Sequence, residues 1–311
     1  MRYSTFLLLF LCFQLGFAQE IPVKEENISI DQFTDGTLTL PEKAEARSLV
    51  IFIQGSGPVN RDGNAPMMKN DGMKKMAHAL AEDGIASFRY DKRIFKMDRL
   101  RIKEEDLKFE DFVTDVNAVI SHFRNNGRFD KIIVAGHSEG SLIGILAAGQ
   151  NDVDAYISLA GAGRPIQEII VEQIAKQSEE LSENAKIAFE EMSRNKKTAN
   201  YSPFLESIFR SSVQPYMYSW MKFDPSEEIA KLVIPVLIIN GSFDIQVDVK
   251  DAEILHKAAS NSKLFILDKM NHIFRQIDGE HLENTKAYNE PQRPLHPELV
   301  PSISEFVKSI E

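Results

Sequence analysis

The amino-acid sequence predicts a protein of the α/β class, with a mostly parallel central sheet and flanking helices. Short apolar runs alternate with longer amphipathic runs along the chain, a pattern typical of βαβ units. The chain has 311 residues, of which 43% are hydrophobic and 26% are charged, as in soluble globular proteins. That length is sufficient for one large domain with a full hydrophobic core.

Each predicted strand is a short apolar run bounded by glycine, proline or polar residues, and each predicted helix has apolar residues at helical spacing. Two of the helices stop at glycine, the usual residue after a helix end. The first elements are a pair of strands within 28–41, a strand over 48–57 that runs into a glycine loop, a helix over 73–84, a strand over 85–93 and a helix over 109–127. The later elements are a strand over 131–138, a helix over 140–149, strands over 154–163, 234–244 and 262–272, and a closing helix over 301–311.

Residues 164–223 interrupt this alternation, because about sixty residues pass there without a clear strand. The first half of the segment is charged and helical, and the second half is aromatic and contains the only tryptophan, Trp220. Connections in α/β units are usually much shorter than this. We therefore expect a helical cap inserted between two strands, with connecting helices on the flank of the sheet as the alternative.

The first eighteen residues predict a secretory signal peptide. Arg2 precedes an apolar run over 6–13, and two small residues, Gly16 and Ala18, stand just before a plausible cut at Gln19. A membrane anchor is the alternative, although the apolar run is short for a hydrocarbon core of about 30 Å. We expect a secreted or periplasmic protein of a bacterial envelope, in which residues 19–311 form a single domain.

Composition narrows the classes of partner. Cys12 is the only cysteine and lies inside the predicted signal peptide, so disulfides, thiol nucleophiles and cysteine-ligated zinc are not expected in residues 19–311. The net charge of −10 disfavours binding to nucleic acid or to anionic membranes. No second apolar stretch is long enough to span a bilayer. A small-molecule partner fits best, and the sequence leaves the oligomeric state open.

Ser138 stands in the motif G-x-S-x-G, "GHSEG", over residues 136–140. A buried strand precedes the motif and a helix follows it, so the serine would lie at the tip of a sharp strand-to-helix turn. The N-terminus of that helix directs free N–H groups towards any negative charge that develops there. The motif predicts a catalytic nucleophile, and an ordinary glycine-rich turn is the alternative.

A serine nucleophile needs a base, and the base needs an orienting acid. Asp244 and His272 follow two later strands in the chain order Ser, Asp, His that such a turn predicts. Asp248 is the other candidate acid, although its position favours a role as the N-cap of the next helix.

The oxyanion of a tetrahedral intermediate needs N–H donors. We expect one from Glu139, which follows the nucleophile, and one from the glycine loop after the strand over 48–57, where the candidates are Gln54, Gly55 and Ser56. The predicted pocket residues are His137 beside the nucleophile and, from the aromatic half of the cap, Tyr216, Tyr218 and Trp220. Phe204 and Phe209 belong to the same aromatic group, and packing in the protein core is the alternative role for all the cap aromatics.

Five segments together resemble the α/β-hydrolases, and among them the bacterial carboxylesterases. They are "GSGP…RDG", "RYDKR", "GHSEG", "NGSFDIQV" and "NHIF", and the resemblance extends from about residue 28 to the last helix. It implies an α/β-hydrolase fold with a helical cap, and a serine esterase that cleaves carboxylic esters, with short acyl chains expected. It also implies a triad of Ser138, Asp244 and His272, with no metal and no cofactor.

The same resemblance draws attention to charged residues near the glycine loop, and two other functions remain to be distinguished. We expect the charged group to brace the oxyanion loop and the segment 94–108 to shape the entrance. A serine peptidase acting on short peptides is the alternative activity, and a non-catalytic binding protein on the same fold is the third possibility. The charged group, with its neighbouring tyrosine, comprises Arg61, Asp62, Arg89, Tyr90, Asp91 and Arg93.

Overall fold

The computed structural model describes residues 23–43, 45–279 and 281–310. The predicted signal peptide, residues 1–18, lies outside these ranges. Across the residues described, no helix combines the length and the apolarity needed to cross a bilayer.

The described strands form one eight-stranded sheet with the order β1-β2-β4-β3-β5-β6-β7-β8. β2 pairs antiparallel with both β1 and β4, and all the other neighbours pair in parallel. The prediction of an α/β fold with a mostly parallel sheet is therefore confirmed. The strands are β1 (Val23–Ser29), β2 (Asp35–Pro41), β3 (Ser48–Ile53), β4 (Ala86–Tyr90), β5 (Lys131–His137), β6 (Ala155–Leu159), β7 (Val236–Gly241) and β8 (Ser262–Leu267).

Helices cover both faces of the sheet, which explains why the central strands are almost continuously apolar. In β3, Leu49, Ile51 and Ile53 face one hydrophobic cluster, while Val50 and Phe52 face the other. The helices are α1 (Gly72–Glu82), α2 (Met97–Leu100), α3 (Phe109–Asn126), α4 (Glu139–Gln150), α5 (Ile166–Ala175), α6 (Glu179–Asn195), α7 (Glu206–Phe209), α8 (Gln214–Trp220), α9 (Pro225–Ile229), α10 (Val249–Ala258), α11 (His281–Ala287) and α12 (Leu299–Lys308).

Two segments outside the regular alternation of strands and helices have a defined conformation. The predicted cap, residues 164–223, contains α5 to α8 and a 3₁₀ turn over Pro203–Leu205, between β6 and β7. The charged segment 94–108 contains α2 and a 3₁₀ turn over Glu104–Asp106. The two segments are in contact, as two hydrogen bonds show: Glu104 accepts one from Arg210 and one from Ser212 of the cap.

The carboxyl ends of parallel strands meet at one edge of a sheet, where ligand sites of open α/β folds lie. β5, β7 and β8 are parallel to one another and end at that edge. Ser138 follows β5, Asp244 follows β7 and His272 follows β8. The topology alone therefore brings together three side chains that are far apart in the sequence.

Candidate active site

Ser138 lies between β5 and α4 in a backbone conformation that non-glycine residues rarely adopt. Its φ is 54° and its ψ is −120°, and such strained positions cluster at functional sites. The two neighbouring glycines make the turn possible. A Cβ on Gly136 would lie 2.1 Å from the carbonyl oxygen of Gly140, and a Cβ on Gly140 would lie 2.5 Å from that of Ile53. The sequence motif thus has a steric cause.

Asp244 and His272 form a buried hydrogen-bonded pair. The His272 Nδ1–H donates to Asp244 Oδ2 over 2.7 Å, and the side chains of His272 and Asp244 are 4% and 1% exposed. The other carboxylate oxygen of Asp244 accepts the backbone N–H groups of Gln246 and Val247, at 2.8 and 2.9 Å. A carboxylate held in this way fixes the tautomer of the imidazole and leaves Nε2 as the basic nitrogen.

Ser138 and His272 border the same cavity, whose volume is about 220 Å³. No hydrogen bond between Ser138 Oγ and the imidazole ring occurs among the described residues. Such bonds are often long in unliganded enzymes and tighten when substrate binds. The shared cavity places the serine hydroxyl and the imidazole at one site.

Asp248, the alternative acid, serves the backbone instead. Its Oδ1 accepts the Lys250 N–H over 3.0 Å at the start of α10. Asp248 therefore caps the N-terminus of α10, the role that its position in the sequence favoured. Within the described ranges, no group of three or more His, Cys, Asp or Glu side chains is arranged so that it could hold a metal ion.

The glycine loop approaches Ser138 closely. A Cβ on Gly55 would lie 3.2 Å from the Cβ of Ser138. Gln54 is buried, and its side-chain amide donates to the carbonyl oxygen of Arg61 over 3.2 Å, which closes the loop on itself. Ser56 is exposed to the site and borders the cavities on both sides of Ser138. Glu139 lies opposite and opens α4, where backbone N–H groups have no partner within the helix.

His137 borders the smaller cavity together with Ser138, as predicted for a pocket residue, and it also packs against the ring of His272. Its Nε2–H donates to the backbone carbonyl of His272 over 3.0 Å, and the two ring centroids lie 4.7 Å apart. Burial, together with the nearby His272 ring, lowers the pKa of His137 well below its usual value of 6.5. His137 is thus a neutral donor that helps to hold the His272 backbone.

Lys92 is a site residue that the sequence analysis missed. Its Nζ donates to the carbonyl oxygen of Gly55 and to Glu139 Oε1, in both cases over 2.8 Å, and its side chain is 5% exposed. Its position could have revealed it, because Lys92 lies two residues beyond the end of β4 at the same sheet edge as Ser138. The segment "RYDKR" contains it as well, but that segment does not reveal the partners of Lys92.

A second cavity of about 380 Å³ lies on the other side of Ser138, beneath the cap. Ser56, Ser138 and Gln246 border both cavities, so the Ser138 hydroxyl stands at their junction. The lining of this cavity is mainly aliphatic and aromatic: Leu142, Ala162, Ile166, Ile169, Ile170, Ile174, Ile208, Met217 and Trp220.

The structure separates the cap aromatics that the sequence grouped together. Trp220 borders the larger cavity beside Ser138, whereas Tyr218 lines a different, outer groove between α5, α6 and α8. Burial and the nearby Glu139 carboxylate raise the pKa of the Tyr216 hydroxyl well above its usual value. Phe209 is fully buried in the cap, and Phe204 is 84% exposed. Helix faces decide these roles, and the aromatic content of the segment does not reveal them.

The charged group near the glycine loop divides into two parts. Arg61 donates to Asp91 through its backbone and its guanidinium, and Arg89 donates to Asp62 over 2.6 Å, so four of these residues tie the loop to β4. Arg93 does not contact the loop and pairs with Asp115 of α3 at 2.7 Å. Tyr90 is buried in the core.

A curated relative of the chain is named as an esterase. Esterase EstD of Thermotoga maritima is 28% identical over an alignment of 273 residues, which covers 83% of this chain and 61% of the relative. The chain thus spans about three-fifths of the length of that curated relative.

Solved structures show the same fold at low sequence identity. Est1E from Butyrivibrio proteoclasticus has a TM-score of 0.56 and 18% identity, over 91% of this chain and 96% of its own. Proline iminopeptidase from Mycobacterium smegmatis has a TM-score of 0.54 and 13% identity, over 92% of this chain and 98% of its own. The family described as "Serine aminopeptidase, S33" matches residues 70–275, which include the nucleophile turn and both members of the acid–base pair. The chain therefore belongs to this family of α/β-hydrolases.

Proposed function

We propose that the protein is a serine hydrolase that cleaves carboxylic esters through an acyl-enzyme on Ser138. The observation that carries the proposal is the strained turn at Ser138, whose residue borders the same cavity as His272. The His272 ring is held by a hydrogen bond of 2.7 Å from its Nδ1–H to Asp244 Oδ2. The similarity to a protein named as an esterase supports the same reaction class.

In the proposed cycle, His272 Nε2 takes the proton of Ser138 as Oγ attacks the ester carbonyl. The resulting oxyanion accepts hydrogen bonds from the N–H groups of Glu139 and the glycine loop. The bond between the acyl carbon and the alkoxy oxygen then breaks, and His272 returns the proton to the leaving alcohol. Water repeats these steps and releases the acid.

The charges around the larger cavity favour an uncharged acyl group over the amino-terminal residue of a peptide. Glu139 and Arg164 are the charged residues among those that border this cavity. Lys92 neutralises Glu139, and Arg164 pairs with Asp251 and Glu172. A substrate ammonium group would therefore meet no free carboxylate there and would lose its hydration without compensation.

The position of His272 orients an ester in the site. The leaving alcohol must lie beside His272, which protonates it, and His272 borders only the smaller of the two cavities at Ser138. The acyl group then occupies the larger, mainly apolar cavity under the cap. We propose uncharged acyl groups of short to moderate length and compact alcohols as the substrate class.

Ser138→Ala tests the nucleophile. We expect the wild-type protein to hydrolyse p-nitrophenyl esters and to be labelled by a fluorophosphonate, and the variant to do neither, since the variant lacks the hydroxyl that carries the acyl group in the proposed cycle. Activity is read as p-nitrophenolate release and labelling by the mass of the intact protein. A Ser138→Ala protein as active as the wild type would remove the central assignment.

Two isomeric esters test the orientation. Methyl hexanoate places its chain in the acyl part and pentyl acetate places it in the alcohol part. We expect methyl hexanoate to have a kcat/KM about tenfold higher, which corresponds to about 1.4 kcal/mol. A preference for pentyl acetate would reverse the assignment while leaving the ester hydrolase itself intact.

Paired variants sharpen this comparison because Ile170 borders the larger cavity and Val59 borders the smaller one. Ile170→Phe should lower kcat/KM for methyl hexanoate and leave pentyl acetate nearly unaffected, since added volume competes with the acyl chain. Val59→Phe should do the opposite. Equal effects of each variant on both esters would argue against two separate cavities for the two parts of the substrate.

A further inference from the structure

The Lys92 side chain connects the two backbone segments that flank Ser138. Its ammonium group contacts the carbonyl oxygen of Gly55 in the glycine loop and the carboxylate of Glu139 in the first turn of α4, each at 2.8 Å. The ring of Phe112 lies 5.0 Å from Nζ on a third side. The cation is therefore almost fully enclosed and fully partnered, which is the condition under which a buried charge is tolerated.

The contact with Gly55 has a consequence for the next peptide group. A trans peptide is planar, so its C=O and its N–H point in opposite directions, and none of the described peptide bonds is cis. Because Lys92 holds the carbonyl oxygen of Gly55, the N–H of Ser56 must point away from Lys92. A free loop would let this peptide plane rotate.

The contact with Glu139 restrains the second donor. The Glu139 side chain is 2% exposed and pairs with Lys92 over 2.8 Å, and the Tyr216 hydroxyl of α8 lies near the same carboxylate. Side chain and backbone of one residue move together, so anchoring the carboxylate restricts the direction of the Glu139 N–H. Tyr216 packs against Phe112 with ring centroids 5.7 Å apart, which links the cap to the same anchor.

We propose that Lys92 is a positioning residue that presets both oxyanion donors, the N–H groups of Ser56 and Glu139, before substrate binds. The inference rests on the proposed acyl transfer at Ser138. Donors that are already oriented stabilise charge in the transition state without reorganisation. Loss of Lys92 should therefore weaken the binding of the transition state more than the binding of the ground-state ester.

The test compares Lys92→Met with a matched control, Arg93→Met. Arg93 is the next residue, and it also makes a buried ion pair, with Asp115 of α3, but it touches neither donor segment. Both variants should lose stability, because each leaves a buried carboxylate without its cation. Only Lys92→Met should lower kcat, by about tenfold to a hundredfold with KM changed by less than about threefold. This is at or below the loss of about a hundredfold to a thousandfold known for complete removal of an oxyanion donor, because the N–H groups remain and lose only their fixed direction.

A trifluoromethyl ketone gives the readout that a merely structural role would not change. It forms a tetrahedral adduct with the serine whose oxyanion occupies the donor site, and transition-state analogues follow kcat/KM. Its inhibition constant should rise for Lys92→Met in proportion to the fall in kcat/KM and stay within about twofold for Arg93→Met, on the scale of about 1.4 kcal/mol per tenfold. Lys92→Arg, which retains a cationic donor, should recover part of the affinity.

The outcomes are distinguishable. Unchanged inhibition of Lys92→Met would overturn the positioning role, whereas a wild-type protein that neither hydrolyses esters nor binds the ketone would overturn the proposed function instead. Should Lys92→Met fail to fold, the double variant Lys92→Met/Glu139→Gln buries no charge and still removes the anchor on Gly55. The same loss of ketone affinity is expected for it, and full affinity would contradict the proposal.

Discussion

His137 stands next to the nucleophile in the sequence and beneath the proposed base in space. Its ring donates to the backbone of His272 and packs 4.7 Å from the centroid of the Phe274 ring. Protonation would place a charge in this partly apolar setting, close to a second imidazole. The folded protein therefore favours the neutral ring, and the unfolded chain takes up a proton near pH 6.5.

The sign of the resulting pH dependence follows from proton uptake by the two states. Below pH 6.5 the unfolded state binds a proton at His137 that the folded state excludes, so acid lowers the free energy of unfolding. The limiting slope for one site is about 1.4 kcal/mol per pH unit. We expect His137→Asn to lose stability less steeply than the wild type between about pH 7.5 and 5.5, as measured by urea unfolding. Parallel pH profiles for the two proteins would contradict this account.

At the scale of elements, the strand-to-helix turn depends on how closely α4 approaches β3. Gly140 in the first turn of α4 leaves no room for a methyl group, since its Cβ would lie 2.5 Å from the Ile53 carbonyl oxygen and 2.6 Å from that of Gln54. Near the other end of the same helix, Gly149 is exposed, and the nearest atom to an added Cβ is 3.7 Å away. Glycine is therefore required by close packing at position 140, whereas position 149 has room for a larger side chain.

Substitution of each glycine by alanine tests this difference in packing. Gly140→Ala should destabilise the protein by about 1–3 kcal/mol, the usual cost of forcing extra volume into a packed site, and should impair ester hydrolysis by displacing α4 from the glycine loop. Gly149→Ala should raise stability by up to about 1 kcal/mol, because alanine favours a helix over glycine. Denaturant midpoints and kcat measure both effects. A Gly140→Ala protein as stable and active as the wild type would show that the close approach is not required.

The sequence predicted the buried elements better than the exposed ones, for a physical reason. β3, β5 and β7 are covered on both faces, so their apolar runs stand out from the flanking residues. β1 is an edge strand that alternates between exposed and half-buried residues, and it begins at Val23 rather than at Ile28 because backbone pairing with β2, not an apolar run, defines it.

The same distinction applies to the site. The positions of Ser138, Asp244 and His272 at one sheet edge could be predicted, because each follows a recognisable strand and strand ends determine where they meet. Their catalytic roles stay predictions. The contacts of Lys92 could not be predicted, although its place just after β4 could, because its partners Gly55 and Glu139 lie 37 and 47 residues away and only the folded sheet brings them together. The roles of Tyr216 and Tyr218 also depended on which helix face meets the body of the molecule.

At the scale of the whole molecule, the charged segment 94–108 connects the cap to the body of the sheet. Glu104 accepts hydrogen bonds from Arg210 and Ser212 just before α8, and the backbone N–H of Phe109 donates to Ser219 Oγ over 2.7 Å. The sequence analysis expected this segment to shape the entrance, and these contacts give it a role in seating the cap. Each partly exposed ion pair contributes only about 0–1 kcal/mol to stability, so these contacts hold the cap less firmly than the hydrophobic core holds the sheet.

Glu104→Ala should therefore loosen the cap without unfolding the protein. We expect faster hydrogen exchange of the amides in α7 and α8, with a change in the global free energy of unfolding below about 1 kcal/mol. Glu105→Ala is the matched control, because its carboxylate is exposed and pairs only with Lys103 among the described residues. Equal hydrogen-exchange rates in the two variants would show that the contacts of Glu104 do not hold the cap in place.

The junction of two cavities at Ser138 has a chemical consequence. On the proposed mechanism, departure of the alcohol empties the smaller cavity while the acyl-enzyme remains in the larger one. A second alcohol that enters beside His272 would lose its proton to that ring and attack the acyl carbon in the place of water. A new ester would form, the bond to Ser138 Oγ would break, and the proton would pass to the serine. In dilute methanol the protein would thus act partly as an acyltransferase, and the ratio of methyl ester to free acid would report how well the emptied cavity prefers an alcohol over water.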